Sequence, residues 1–241
     1  MSVPLVPWKL SDVFWALLTV IVLVLIGGVA LGALGTGGRD IGQPIQGELL
    51  GVPLEVAANI FQGVVLIGVV TYFAYFRRNG YLEQLGFVMP KKWGIFGVAL
   101  LLWLGALGFV IVYGIVIDAL GVKWLQPPDT AKDILDEVGG TGGAILLAGV
   151  WAPLNEEVFF RAFALPAFAR RYGVKFAVIA SSAVFAAFHV HPGLLLPIFV
   201  LGVVLALAYA LSGSVLVSIF IHALHNTMAV LIARFASDVG V

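Results

Sequence analysis

The sequence predicts an all-α, polytopic transmembrane helix bundle, and three observations carry that expectation. Hydrophobic residues make up 61% of the chain and charged residues only 11%, at a mean hydropathy of +1.10, which is outside the range of water-soluble domains. The apolar residues fall into runs of about 20, the length that crosses a ~30 Å hydrocarbon layer at ~1.5 Å per residue. Polar, Gly or Pro breaks separate these runs. About seven spans emerge, or eight if a short interfacial helix is counted, over 13–34, 53–76, 94–117, 142–169, 175–190, 193–211 and 214–235.

The first run follows Lys9 and is longer than the apolar stretch of a signal peptide, so it reads as a retained span. Within it Gly28 and Gly32 have the spacing of a close helix-packing pair. Glu55 stands near the start of the second run, within reach of the interface, and reads as structural. Between the third and fourth runs, Pro128 to Val138 (PDTAKDILDEV) begins with an Asp/Thr cap and places Ile134, Leu135 and Val138 on one face. That pattern predicts a short helix on the outer surface, either a solvated connector or a gate. The last three runs are joined by the minimal turns His191-Pro192-Gly193 and Ser212-Gly213, which makes them antiparallel neighbours. No internal repeat or linker interrupts the chain, so residues 1–241 read as one transmembrane domain.

Orientation follows the basic residues. With the N-terminus inside, Lys9, Arg77, Arg78, Lys91, Lys92, Arg170, Arg171 and Lys175 are cytoplasmic. Arg39, Lys123, Lys132 and Arg234 then lie outside. The expectation is an integral protein of a prokaryotic plasma membrane, N-terminus in and C-terminus out. Lys+Arg and Asp+Glu are both 13, so the balance gives no sign of a nucleic-acid partner. The chain has no cysteine, which excludes disulfides, thiolate metal sites and a cysteine nucleophile.

Three charges fall inside a span: Glu156, Glu157 and Arg161, within NEEVFFRAF. A charge at mid-bilayer costs at least about 2.5–3.5 kcal/mol, so such residues point to function. Glu157 and Arg161 are four residues apart, on one helix face and within ion-pair reach. Glu156 is turned by about 100° and left without a local partner. The last spans add His189, four residues after Phe185, and His222 with Asn226, again four apart. Counted from the cytoplasmic ends of their spans, Glu156, His189, His222 and Asn226 lie roughly 20, 21, 12 and 18 Å deep. A single buried polar site needs such similar depths on three helices. Pro153, three residues before Glu156, is expected to loosen its helix and free backbone carbonyls beside the site.

The ordered set EExxxR at Glu156 to Arg161, FxxxH at Phe185 to His189 and HxxxN at His222 to Asn226 resembles the CAAX prenyl protease and bacteriocin-processing family of intramembrane proteases, which includes type II CAAX endopeptidases. The resemblance covers about Gly142 to Arg234, with the catalytic motifs inside 142–235. It implies an intramembrane endopeptidase in which Glu156 activates a water and His189 helps to hold it. It further implies that His222 and Asn226 stabilise the oxyanion, with Glu157 and Arg161 supporting the site. On this reading no cofactor is required. A zinc ion held by Glu156, His189 and His222 is the alternative, since a carboxylate and two imidazoles leave an open fourth position. The lack of an HExxH motif and the presence of Asn226, a natural oxyanion donor, favour the metal-free reading. His191 and His225 are additional imidazoles to which the motif gives no role.

The partners implied are membrane lipid and a peptide or lipidated protein substrate. A transporter or proton relay is the competing function, because buried Glu and His also occur there. A scaffold locked by buried polar groups is a third. The convergence of unlike groups at one depth, without an inverted repeat, favours the protease.

Overall fold

The computed structural model describes residues 3–34, 47–90 and 93–239. Arg39, Lys91 and Lys92, which entered the orientation argument, lie outside the described residues. Among the described residues the chain is helical as expected, apart from the connecting loops and one antiparallel pair of two-residue strands, β1 (Glu48–Leu49) and β2 (Val52–Pro53).

Helix α1 (Leu10–Leu34) starts where Asp12 accepts the Lys9 N–H at 2.8 Å. A carboxylate in the first turn also suits the positive end of the helix dipole. α2 (Leu54–Val70) continues as a π-helical segment, Thr71–Phe76. α3 (Gly94–Leu120) ends at Gly121, whose φ of 65° is a left-handed stop. The short helix expected near Pro128 is α4 (Thr130–Val138), capped by Asp129, which accepts the Lys132 N–H at 3.2 Å. Its apolar face is also as expected, with Leu135 buried in a small cluster with Ala144, Ala148 and Val230.

From Thr141 to Tyr172 the chain stays helical but changes register repeatedly. α5 (Thr141–Ala144), a π segment Ile145–Trp151, α6 (Ala152–Glu157), a second π segment Val158–Ala164 and α7 (Leu165–Tyr172) follow without a break. Then come α8 (Val174–Phe188), α9 (Pro192–Ser212) and α10 (Val215–Val239).

Among the described residues five helices are long and apolar enough to cross a membrane: Leu10–Leu34, Leu54–Phe76, Gly94–Leu120, Pro192–Ser212 and Val215–Asp238. Two of the seven expected segments differ from a simple span. The segment expected at 142–169 is divided by its π turns and holds Glu156, Glu157 and Arg161. α8 has 15 residues, about 22 Å of helix, which is short of the hydrocarbon thickness.

The segment 141–172 occupies the middle of the bundle. Phe159, Phe160 and Phe163 are fully buried in a cluster with side chains of α1, α2, α3, α8, α9 and α10. Water is absent around such helices, so close packing and interhelical hydrogen bonds hold them together. At one edge Trp8 donates its Nε1–H to the Phe163 carbonyl at 2.8 Å, and Arg170 donates to the Val6 carbonyl at 2.8 Å. Asp12 joins the start of α1 to the end of the second span, accepting from Arg77 and Arg78.

The glycine that packs α1 on α2 is Gly27, the neighbour of the expected Gly28. A Cβ at Gly28 would meet nothing within 4 Å, whereas one at Gly27 would overlap the Phe61 ring of α2. One position of helix rotation, about 100°, thus decides which of the two glycines meets α2. At Gly63 a Cβ would sit 2.5 Å from Trp151 Nε1 and 2.6 Å from Asn155 Nδ2, so this glycine lets α2 approach the helix of the buried charges.

Candidate active site

Glu157 and Arg161 form the expected pair. Arg161 NH1 donates to Glu157 Oε1 at 2.9 Å, and both side chains are 0% exposed. Arg161 NH2 reaches the Gly202 carbonyl of α9 at 3.3 Å, and its guanidinium lies 4.1 Å from the centroid of Phe185. The Phe of the FxxxH motif thus provides an aromatic face for a buried cation. A Cβ at Gly202 would press to 3.1–3.3 Å on Ser182 and Phe185, so the absence of a side chain there lets Phe185 sit against the backbone. Glu157 Oε2 and Arg161 Nε are buried without a hydrogen-bond partner among the described residues.

The contact that sequence reasoning missed crosses 65 residues: His222 Nδ1 lies 2.9 Å from the same Glu157 Oε1. Its other nitrogen, Nε2, lies 3.8 Å from Glu156 Oε2. Glu156 is 12% exposed, more open than its neighbour. One imidazole therefore stands between two adjacent carboxylates, within contact of one and just beyond hydrogen-bond range of the other. Phe185 packs edge-on against both His222 and His189, with ring centroids 5.7 and 4.9 Å apart, and brings α8 to the same place.

The partners fix the imidazole protons. His189 Nδ1 lies 2.9 Å from the Phe185 carbonyl, and a carbonyl only accepts, so Nδ1 carries the hydrogen and Nε2 the lone pair. The Glu157 carboxylate imposes the same form on His222. The two extra histidines are held the other way. His225 Nδ1 accepts from Trp103 Nε1 at 3.3 Å, and His191 Nδ1 accepts the Gly193 N–H at 3.1 Å as the cap of α9. Indole and amide N–H groups only donate, so in both rings Nδ1 is bare. Only the motif histidines, His189 and His222, offer a lone pair at Nε2.

Asn226 is positioned by the register change. Ala152 N–H goes to the Leu147 carbonyl and Pro153 has no N–H, so the Ala148 carbonyl loses both its α-helical and its π-helical donor. Asn226 Nδ2 takes that carbonyl at 2.8 Å, one turn beyond His222 on α10. One of its two amide hydrogens stays available. The freed carbonyl expected from Pro153 is present, and it serves to anchor a side chain.

Glu156, Glu157, Arg161 and His222 are thus in one cluster, with His189 joined to it through Phe185 and Asn226 through α10. The zinc alternative needs three donors converging on one point. Among the described residues no group of three or more His, Cys, Asp or Glu has that arrangement. His222 Nδ1 and His189 Nδ1 are committed to protein oxygens, which leaves Nε2 of each ring as the nitrogen that would meet an ion.

No curated protein and no solved structure matches the chain. Residues 140–228, which hold all six candidate site residues and both π segments around Glu156, match the family model of the type II CAAX prenyl endopeptidase Rce1-like proteins.

Proposed function

We propose that the protein is an intramembrane endopeptidase that cleaves a membrane-associated peptide or lipidated protein, with a water activated by Glu156. The observation that carries this reading is the single imidazole of His222 between Glu157, at 2.9 Å, and Glu156, at 3.8 Å. Glu156 lacks the hydrogen bonds that hold Glu157 and is the more exposed of the two, so it is the carboxylate available to take a proton. His189, with its bare Nε2, helps to hold the water. Glu156 accepts a water proton as the oxygen attacks the scissile carbonyl, then returns it to the departing amine.

The oxyanion that develops is stabilised by the free Nδ2–H of Asn226, and the bare Nε2 of His222, which faces Glu156, helps to hold the water. Glu157 and Arg161 hold His222 and do not touch substrate. The mechanism needs no metal. A proton relay would call for titratable groups filed across the bilayer, whereas these gather at one level. The bonds of Asp12 with Arg77 and Arg78, and of Arg170 with the N-terminal segment, collect positive charge at one end of the bundle. That supports an N-terminus on the cytoplasmic side.

The test is cleavage of a peptide library, with prenylated CAAX peptides included, by the purified full chain with and without a chelator. Glu156→Gln and His189→Ala are expected to lose at least about 100-fold in rate, the lower range for a general base, while melting like wild type. A chelator is expected to change nothing. Wild-type cleavage by both variants would refute the assignment.

A further inference from the structure

On the outer flank of the bundle, α1 and the second span enclose a cavity of about 340 Å³ lined by Leu23, Val65, Val69 and Phe73. Its one α1 hydroxyl, on Thr19, donates to the Trp15 carbonyl at 2.8 Å, so the wall presents no unsatisfied polar group there. Gly68 forms part of the floor, and a Cβ at that position would meet nothing within 4 Å. The distance from Val65 to Phe73 along the helix is about 12 Å, enough for a substantial part of an extended acyl chain. Because both helices are membrane-spanning candidates, this flank faces hydrocarbon.

The end of the groove marked by Phe73 is not apolar. The Arg77 guanidinium lies 5.8 Å from the Phe73 ring centroid. Arg77 and Arg78 share a single carboxylate, Asp12, so one positive charge is in excess. Arg78 engages both oxygens of that carboxylate, donating to Oδ2 at 2.8 Å and to Oδ1 at 3.0 Å. Arg77 makes one longer bond at 3.2 Å and is 48% exposed against 28% for Arg78. The surplus cation is therefore Arg77, at the mouth of an apolar groove.

We propose that this groove is a binding site for an anionic phospholipid, with an acyl chain against Gly68 and the phosphate on Arg77. A zwitterionic lipid would offer the same chain but bring its own cation to the headgroup. The preference should be about fivefold, as expected of one cation near an anionic headgroup.

The test is native mass spectrometry of the purified full chain in detergent, titrated with phosphatidylglycerol or with phosphatidylcholine of the same acyl chains. Wild type should retain phosphatidylglycerol at about fivefold lower lipid concentration. Arg77→Gln should reduce phosphatidylglycerol to the level of phosphatidylcholine, and Arg77→Lys should restore the preference. Gly68→Leu, and independently Leu23→Trp from the opposite wall, should weaken both lipids. Equal retention of the two lipids by wild type, a preference untouched by Arg77→Gln, or wild-type binding by both groove-filling variants would overturn the proposal.

Discussion

Glu157 Oε1 accepts from two residues at the same distance, 2.9 Å: Arg161 NH1 one turn along its own helix and His222 Nδ1 across the bundle. A single oxygen thus balances a buried cation and fixes the orientation of an imidazole whose far nitrogen faces Glu156. The carboxylate is structural toward Arg161 and functional toward His222, and the two roles are separable.

Glu157→Gln should lose both. It leaves the Arg161 charge, which is 0% exposed, without its counter-ion, and breaking a buried pair from one side costs about 3–5 kcal/mol. Glu157→Gln with Arg161→Met removes the uncompensated charge and should recover most of the melting temperature in detergent. Cleavage should stay low in the double variant, because His222 is still unheld. Recovery of both would show that Glu157 serves only as a counter-ion.

The pattern of what the sequence reveals follows from range. Glu157–Arg161 was legible because helix geometry places residues four apart in contact. The grouping of Glu156 with polar residues of the last spans was expected because burial of charge is costly and favours a shared site, although His222 counted about 8 Å shallower than Glu156. The bond between Glu157 and His222 was not, because depth carries no information on which face of α10 turns toward which carboxylate. Pro153 signalled a freed carbonyl, but its capture by Asn226 depends on the helix running in π register through Ile145–Trp151, and periodicity in a uniformly apolar run does not reveal register. Gly27 and Gly28 illustrate the same limit: spacing identifies a small residue, and only the rotation of the helix decides which of two adjacent glycines meets the Phe61 ring.

Pro153→Ala should trade activity for stability. The new N–H at 153 can bond to the Gly149 carbonyl in α register, which returns the Ala152 N–H to the Ala148 carbonyl. That displaces Asn226 Nδ2 from its 2.8 Å bond. Removal of proline from a helix interior is favourable by up to about 3 kcal/mol, so the melting temperature should rise. The cleavage rate should fall by about tenfold or more, in line with the loss of a positioned oxyanion donor. A rate equal to wild type would mean that Asn226 does not depend on the freed carbonyl.

Gly63→Ala and Gly28→Ala should differ although both place a methyl in an apolar helix. At Gly63 the new carbon would lie 2.5 Å from Trp151 Nε1 and must push α2 away from α6; at Gly28 it meets nothing within 4 Å. Overpacking of this kind costs about 1–3 kcal/mol, so Gly63→Ala should melt at a lower temperature and Gly28→Ala should match wild type. Equal melting temperatures would contradict the close approach of these helices.

Docking of α4 should weaken as pH rises. The Glu137 carboxyl is pushed up to about 8, first by burial, then by its hydrogen bond to Glu55 of α2 and the negative charges of Glu55 and Asp133. Detached from the bundle, the same carboxyl returns to its ordinary value of 4.5. Below 4.5 it is protonated in both forms, and docking is fully supported. Between 4.5 and 8 docking requires proton uptake, so support declines with each unit of pH; above 8 both forms are ionised and the loss is complete. The burial of Leu135 against Ala144, Ala148 and Val230 persists throughout, so α4 should open more often without unfolding the protein. Amide hydrogen-exchange protection of residues 130–138, corrected for intrinsic rates, should fall from pH 5 to pH 8 and level off above it. Glu137→Gln, which carries the neutral form permanently, should flatten the profile. Protection that is constant with pH in the wild type would show that Glu137 stays ionised against Glu55.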